Sequence, residues 1–150
     1  MTPTNFLMTT RLIEKLHQSL IKEVCDTYQL TPMEANIISF LHNNPGFDTA
    51  ADIVELRMFS KGNVSQGVDA LIHKNLLKRT PDLSDRRKLH LALLPDAAPV
   101  TDAIDAFQEQ LAEELFHGFT PQEIHQFIEL NQRLLDNVQT IKQRREHSNE

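Results

Sequence analysis

One cysteine, one tyrosine, no tryptophan and four glycines set the first bounds on this chain. A lone Cys25 excludes an intramolecular disulfide and any zinc site built from several cysteines, and it suits a reducing compartment. No stretch approaches the roughly 18 uninterrupted apolar residues of a membrane span, so no membrane partner is expected. Residues 1–10 show no basic run followed by an apolar one; no secretory signal is expected, and the cytoplasm is the expected location. With four Gly and seven Pro, collagenous and low-complexity architectures are poor fits. Neither a Gly-x-Ser-x-Gly elbow nor a phosphate loop occurs, so the chain is read as non-enzymatic, with no catalytic residue, no cofactor and no metal expected.

What is present is the composition of an ordinary globular domain: 150 residues, 17.2 kDa, 40% hydrophobic and 24% charged. A chain of this length buries about 68–70% of its unfolded surface, enough for one core. Its net charge of -6 and pI near 5.6 argue, taken whole, against nucleic acid. A net charge does not say where the charges sit.

Apolar residues Phe6, Ile13, Leu16, Leu20, Val24 and Tyr28 recur mostly at spacings of three and four, predicting a long first helix over about residues 5–28. Thr31-Pro32-Met33-Glu34 is a helix start, with Thr31 as cap, Pro32 at the first position and Glu34 three residues beyond the cap. That second helix ends near His42, at Asn43-Asn44-Pro45-Gly46. Asp48 or Thr49 caps a short third helix with Ala51, Ile53, Val54 and Leu56 as its apolar members. Ser60 caps a fourth, whose stripe is Val64, Val68, Leu71 and Ile72 and whose exit is Asn75, with Phe59 available to pack on Val64. The period then changes to two. Leu77 and Arg79, turn residues 81–85 and the alternating Lys88-Leu89-His90-Leu91-Ala92-Leu93 predict a hairpin burying Leu89, Leu91 and Leu93. Helical periodicity resumes from Asp96 and stops at Gly118. Thr120-Pro121-Gln122-Glu123 then starts a last helix of about five turns, followed by a frayed tail from Glu146.

Between Arg57 and His90 lie eight basic residues (Arg57, Lys61, Lys74, Lys78, Arg79, Arg86, Arg87, Lys88) and three acidic ones (Asp69, Asp82, Asp85). The segment is +5 and the rest of the chain -11, an asymmetry that the total hides. The order helix, helix, turn, helix, hairpin is that of a winged helix-turn-helix, in which the second helix of the pair enters the major groove. Lys61, Asn63, Ser65, Gln66 and Asp69 occupy the face of that helix opposite its apolar stripe, and Asn, Gln and Lys side chains suit base edges and phosphates. Gly62 and Gly67 each weaken a helix by about 1 kcal/mol relative to Ala, which close approach to DNA or to a neighbouring helix would justify.

From about Leu30 to Leu93, and more loosely throughout, the sequence resembles the MarR family of bacterial transcription regulators. Asp85-Arg86-Arg87 is similar to the family's Asp-x-Arg wing signature, preceded by Leu76-Leu77-Lys78-Arg79 and Pro81-Asp82 as in its first wing strand. Leu30-Thr31 and Ser60-Lys61-Gly62-Asn63-Val64-Ser65 match its helix starts. The family's Gly after the recognition helix is here Asn75, and its Leu-Thr-x-x-Gly wing closure is replaced by Leu93-Leu94-Pro95-Asp96-Ala97.

The resemblance implies a mainly α fold with a small β-hairpin wing, organised as one domain over 1–150. A winged DNA-binding lobe over 30–94 is flanked by dimerisation helices over 5–29 and 96–145. It implies a homodimeric, ligand-responsive repressor whose partners are double-stranded DNA with a palindromic operator, a second copy and a small effector. The expected DNA-binding residues are Ser60, Lys61, Asn63, Ser65, Gln66, Arg79, Asp85, Arg86, Arg87 and Lys88. In the family the wing Arg enters the minor groove and the Asp orients it; these roles fall to Arg87 and Asp85, with Arg86 on phosphate. Phe6, Leu12, Leu16, Phe40, Phe47 and Phe107 are candidate walls of an effector crevice, or plain core.

Other readings stay open at this point. Cys25 is either an oxidant-sensing thiol, as in some branches of the family, or a small core hydrophobe. The i, i+4 pairs Glu113/His117 and His125/Glu129 suit a shared metal or a solvated face. An interaction module that keeps the fold without binding DNA is the alternative of a different class.

Overall fold

The computed structural model describes residues 3–148. Its elements are α1 (Pro3–Tyr28), α2 (Pro32–Asn43), α3 (Ala50–Arg57), α4 (Lys61–His73), β1 (Leu77–Pro81), β2 (Leu89–Leu93), a 3-10 turn (Pro95–Ala97), α5 (Ala98–Leu115) and α6 (Pro121–His147). The mainly helical fold with a two-stranded wing is the one expected from the sequence. The chain forms two compact units, Met1–Gln110 and Leu111–Glu150. The boundary between the two units falls inside α5. The cause is burial: Ile21, Val24 and Cys25 of α1 and Val100 and Ile104 of α5 share one core with Ile37, Ile38, Ile53, Val64, Leu71, Leu77 and Leu91.

Helix starts follow the capping residues. Thr31, Thr49, Ser60 and Thr120 have extended backbones, and each side chain accepts a hydrogen bond from the amide three residues on. At Thr49 and Thr120 the box closes, since Asp52 and Glu123 reach back to the cap amide. At Thr31 it does not, because Glu34 is turned inward and takes Lys74 Nζ at 2.5 Å, while the same ammonium donates to Gln29 O at 3.1 Å. The exits use left-handed backbone at Gln29, Met58 and Asn75, with φ of 54°, 55° and 59°, and Asn75 supplies the helix exit read from the sequence.

Several expectations need correction. In α3 only Ile53 is fully buried, and Leu56 and Ala51 are exposed, because an eight-residue helix offers the core little more than one turn's face. In β2 only Leu91 is buried; Leu93 is half-buried and Leu89 exposed, since the hairpin runs past the core towards its tip. Pro95 opens a 3-10 turn, so α5 starts at Ala98 and not at Asp96. The last helix has 27 residues, well beyond five turns, and Arg144, Arg145 and His147 in its final turn oppose the dipole and replace the expected fraying from Glu146. Asn149 and Glu150, the end of that expected tail, lie outside the described residues.

The two glycines of α4 have different reasons. A Cβ on Gly67 would lie 2.6 Å from Ile37 Cδ1 and 3.0 Å from Met33 Cγ, so this glycine lets α4 and α2 approach. A Cβ on Gly62 would meet nothing within 4 Å. Gly67→Ala is expected to lower unfolding stability in urea by about 1–3 kcal/mol through overpacking. Gly62→Ala is expected to leave it unchanged or raise it by up to about 1 kcal/mol.

Candidate nucleic-acid interface

The interface is built on α4, which has one face for the core and one for solvent. Val64, Gly67, Val68 and Leu71 are buried, and Lys61, Gly62, Asn63, Ser65, Gln66 and Asp69 are exposed. Ser60 Oγ is occupied in capping Asn63 N at 3.2 Å, which leaves its hydroxyl proton for another acceptor. The turn ahead of α4 is fixed by Arg57, whose guanidinium lies over the Phe59 ring at 5.4 Å and donates to Asn36 Oδ1 at 3.0 Å. Asn36 in turn donates to Pro32 O at 2.8 Å and exchanges longer bonds with Gln18, so α1, α2 and the α3–α4 turn share one polar network.

The wing is ordered by carboxylates. Asp82 Oδ2 accepts from Ser84 N (2.9 Å), Ser84 Oγ (2.7 Å) and Asp85 N (3.0 Å), the side-chain-closed turn that an Asp two residues before a Ser favours. Asp85 Oδ1 accepts from Arg87 N at 3.0 Å and from Arg87 Nε at 3.4 Å, while the Arg87 side chain remains 94% exposed. Asp82 Oδ1 meets His90 Nε2 at 2.7 Å, and the other ring nitrogen meets Asp48 Oδ1 at 2.8 Å. The hydrogen bond with His90, with those from Ser84 and Asp85, holds the Asp82 carboxyl well below the usual carboxylate range. Hydrogen bonding to Asp82 and then Asp48 raises His90 above the ordinary histidine value. In the alternating strand His90 occupies a polar position, and its two partners, Asp48 and Asp82, lie 42 and 8 residues away in sequence.

The expected DNA-binding residues divide into two groups. Arg79 of β1 is ion-paired with Asp69 of α4, tying the wing to that helix. Lys61, Arg86 and Lys88, together with Lys78, have no ion-pair partner among the described residues, and Asn63, Ser65 and Gln66 are exposed beside them in sequence. Between α3, α4 and the wing lies a cavity of about 390 Å³, walled by Ala51, Val54, Val68, Leu89 and Leu91 and edged by Lys61, Asp69 and Arg79. The six crevice candidates do not share one environment: Phe40 is in the core, Phe107 packs half-buried and meets His17 edge-on at 5.5 Å, and Phe6, Leu12, Leu16 and Phe47 are exposed.

Cys25 is buried, and burial, followed by Asp26 and Glu34, pushes its thiol up, away from the reactive thiolate. Among the described residues no group of three His, Cys, Asp or Glu is placed to hold a metal ion, and His125 and Glu129 are an exposed pair 3.4 Å apart. No described helix is long and apolar enough to cross a membrane.

The sequence model of the MarR family matches residues 28–88, from the end of α1 to the last basic residue of the wing. Over residues 28–88 the chain is similar to the MarR family. Members of that family are transcriptional regulators and not enzymes. Among solved structures, a MarR-family transcriptional regulator from Silicibacter pomeroyi is 19% identical, with 91% of this chain and 90% of that one covered and a TM-score of 0.74. BpsR of Bordetella bronchiseptica, whose DNA binding is regulated by 6-hydroxynicotinic acid, is 22% identical (87% and 98% covered, TM-score 0.61). A mutant of MepR from S. aureus, bound to an oligodeoxyribonucleotide, is 16% identical (92% and 99% covered, TM-score 0.56). At these identities the likeness is one of fold.

A depressed native carboxyl contributes stability that is present above its unfolded value, near 3.9, and is lost only as pH falls through the native one. Protection of the Ser84 and Asp85 amides against exchange is therefore expected to persist from pH 6.5 down to pH 5, and Asp82→Ala to abolish it across that range.

Proposed function

We propose that this chain is a DNA-binding transcriptional regulator, a homodimeric, ligand-responsive repressor that binds a palindromic operator. One observation carries the reading: the exposed Lys61, Asn63, Ser65 and Gln66 of α4, and a wing tip whose Arg87 is steadied by Asp85 yet projects into solvent, belong to the one strongly basic segment of an acidic chain. Asn63 and Gln66 present amides of the kind that pair with adenine in the major groove. Lys61, Arg86 and Lys88 supply phosphate contacts, and Arg87 reaches the minor groove. Arg79, engaged with Asp69, orients the wing and takes part in DNA contact only by leaving that pair.

Residues 30–94 act as the DNA-binding lobe and 5–29 and 96–145 as dimerisation helices. In favour of that division, α6 buries none of its residues within the chain, although Phe127, Ile128, Leu134, Leu135, Val138 and Ile141 recur along it, and Leu7, Leu12 and Leu16 of α1 are likewise exposed. A second copy covers these rows and sets the recognition helices about 34–36 Å apart, one turn of B-DNA. The cavity between α3, α4 and the wing has the volume of a small-molecule site, and a small amphipathic effector there would bear on the Asp69–Arg79 pair.

In a mobility shift with an operator selected from random DNA, Arg87→Ala is expected to weaken binding and either to lower the salt slope by about one phosphate equivalent or to flatten preference for A·T-rich flanks. Unchanged binding would remove the wing from the interface. Gly62→Ala is expected to weaken operator binding while leaving unfolding stability intact, since its Cβ meets nothing in the protein. Selection that recovers no preferred sequence would favour an interaction module of the same fold.

A further inference from the structure

His90 sits where β2 leaves the wing tip, and both of its ring nitrogens meet carboxylate oxygens at hydrogen-bond distance, Nε2 to Asp82 at 2.7 Å and Nδ1 to Asp48 at 2.8 Å. Ionised carboxylates only accept, so both bonds exist together only when both ring nitrogens carry protons, that is, in the imidazolium form. The two carboxylates come from different parts of the fold. Asp82 closes the wing turn through Ser84 and Asp85, the residue that holds Arg87, and Asp48 lies in the loop between α2 and α3, where its carbonyl also accepts Leu91 N at 2.7 Å.

We propose that His90 is a positioning residue for DNA binding, an imidazolium clasp that fastens the wing turn bearing Arg86 and Arg87 to the loop ahead of α3. The clasp itself is independent of function; its effect on affinity rests on the DNA-binding reading above. The charged groups facing His90 are Asp48 and Asp82, and among the described residues the other elements packed on β2, namely α2, α3 and β1, bring no further charge to it. When the ring loses a proton, one carboxylate faces a nitrogen lone pair in place of a donor, and that arm opens. A native histidine raised above its unfolded value contributes stability that is complete below about pH 6.5 and is lost as pH rises through the native value.

The test uses the full chain. Imidazole carbon and proton shifts, with the His90 signal assigned by its absence in His90→Gln, are expected to titrate above pH 6.5, with the protection of the Ser84 and Asp85 amides, relative to their intrinsic exchange rates, falling over the same interval. Operator affinity of the wild-type chain is expected to fall about two- to tenfold across that interval, on the scale of one hydrogen bond. His90→Gln, whose amide nitrogen donates to one of the carboxylates at most, should bind at pH 6 as the wild type does above the transition, with that pH step absent. Titration at or below pH 6.5, or exchange at Ser84 unchanged in His90→Gln, overturns the clasp. A titrating clasp with operator affinity flat in pH overturns its positioning role. A chain that binds no operator at any pH overturns the DNA-binding reading, and the spectra and exchange still decide the clasp.

Discussion

The close contact of α4 with α2 at Gly67 is the constraint on which the rest of the lobe depends. A helix that must present a polar face to a partner can be held only by its other face, and here that hold is a narrow stripe of Val64, Gly67, Val68 and Leu71. A side chain at position 67 would push α4 off Met33 and Ile37. The absence of one lets the two helices approach with Ile37 fully buried. The turn ahead of α4 is secured independently: Ser60 caps the helix, and Arg57 spans Phe59 and Asn36. The orientation of the exposed face is thus set by packing behind it and by hydrogen bonds in front of it.

Charge is sorted by the same geometry. Of the eight basic residues between Arg57 and His90, Arg57 is engaged by Asn36, Lys74 by Glu34 and Gln29, and Arg79 by Asp69. Those three brace the lobe. Lys61, Lys78, Arg86, Arg87 and Lys88 remain outward, and four of the five lie at the start of α4 or near the wing tip. A count along the sequence treats all eight alike, and the fold separates structural cations from those available to a polyanion. Acid elsewhere in the chain then opposes indiscriminate attraction to phosphate, which favours discrimination over raw affinity.

What was legible in the sequence was local. Thr31, Thr49, Ser60 and Thr120 announce their helices because a cap acts on amides three residues away, and Asn75 announces an exit because few other residues tolerate its backbone. The wing followed from a change of period. Partnerships between distant segments were not legible: Glu34 looked like the second half of a capping box and instead faces Lys74, forty residues on. His90 looked like the polar member of an alternating strand and instead joins Asp48 and Asp82. Leu89 failed as a core residue because alternation says which side a residue faces and not how far the core extends beneath it. The candidate DNA face was readable because it consists of what the core does not use; its supports were not, because each is a meeting of two segments.

The last helix poses the remaining physical question. α6 is 27 residues long with no buried residue of its own, and isolated helices, even long ones, are only marginally stable in water without tertiary cover. Its capping box at Thr120 and Glu123, the basic residues in its last turn and the edge-on contacts of Phe116 with Phe119 and Phe127 help only its first two turns and its last. Its middle carries Ile128, Leu134, Leu135 and Val138 at exposures of 40% or more. Under the proposed dimer a second copy covers this apolar row, and the helix is one half of an interface. On the dimer reading, its folding and its assembly are then one equilibrium, and the spacing of two recognition helices is fixed by the same contacts that let α6 exist.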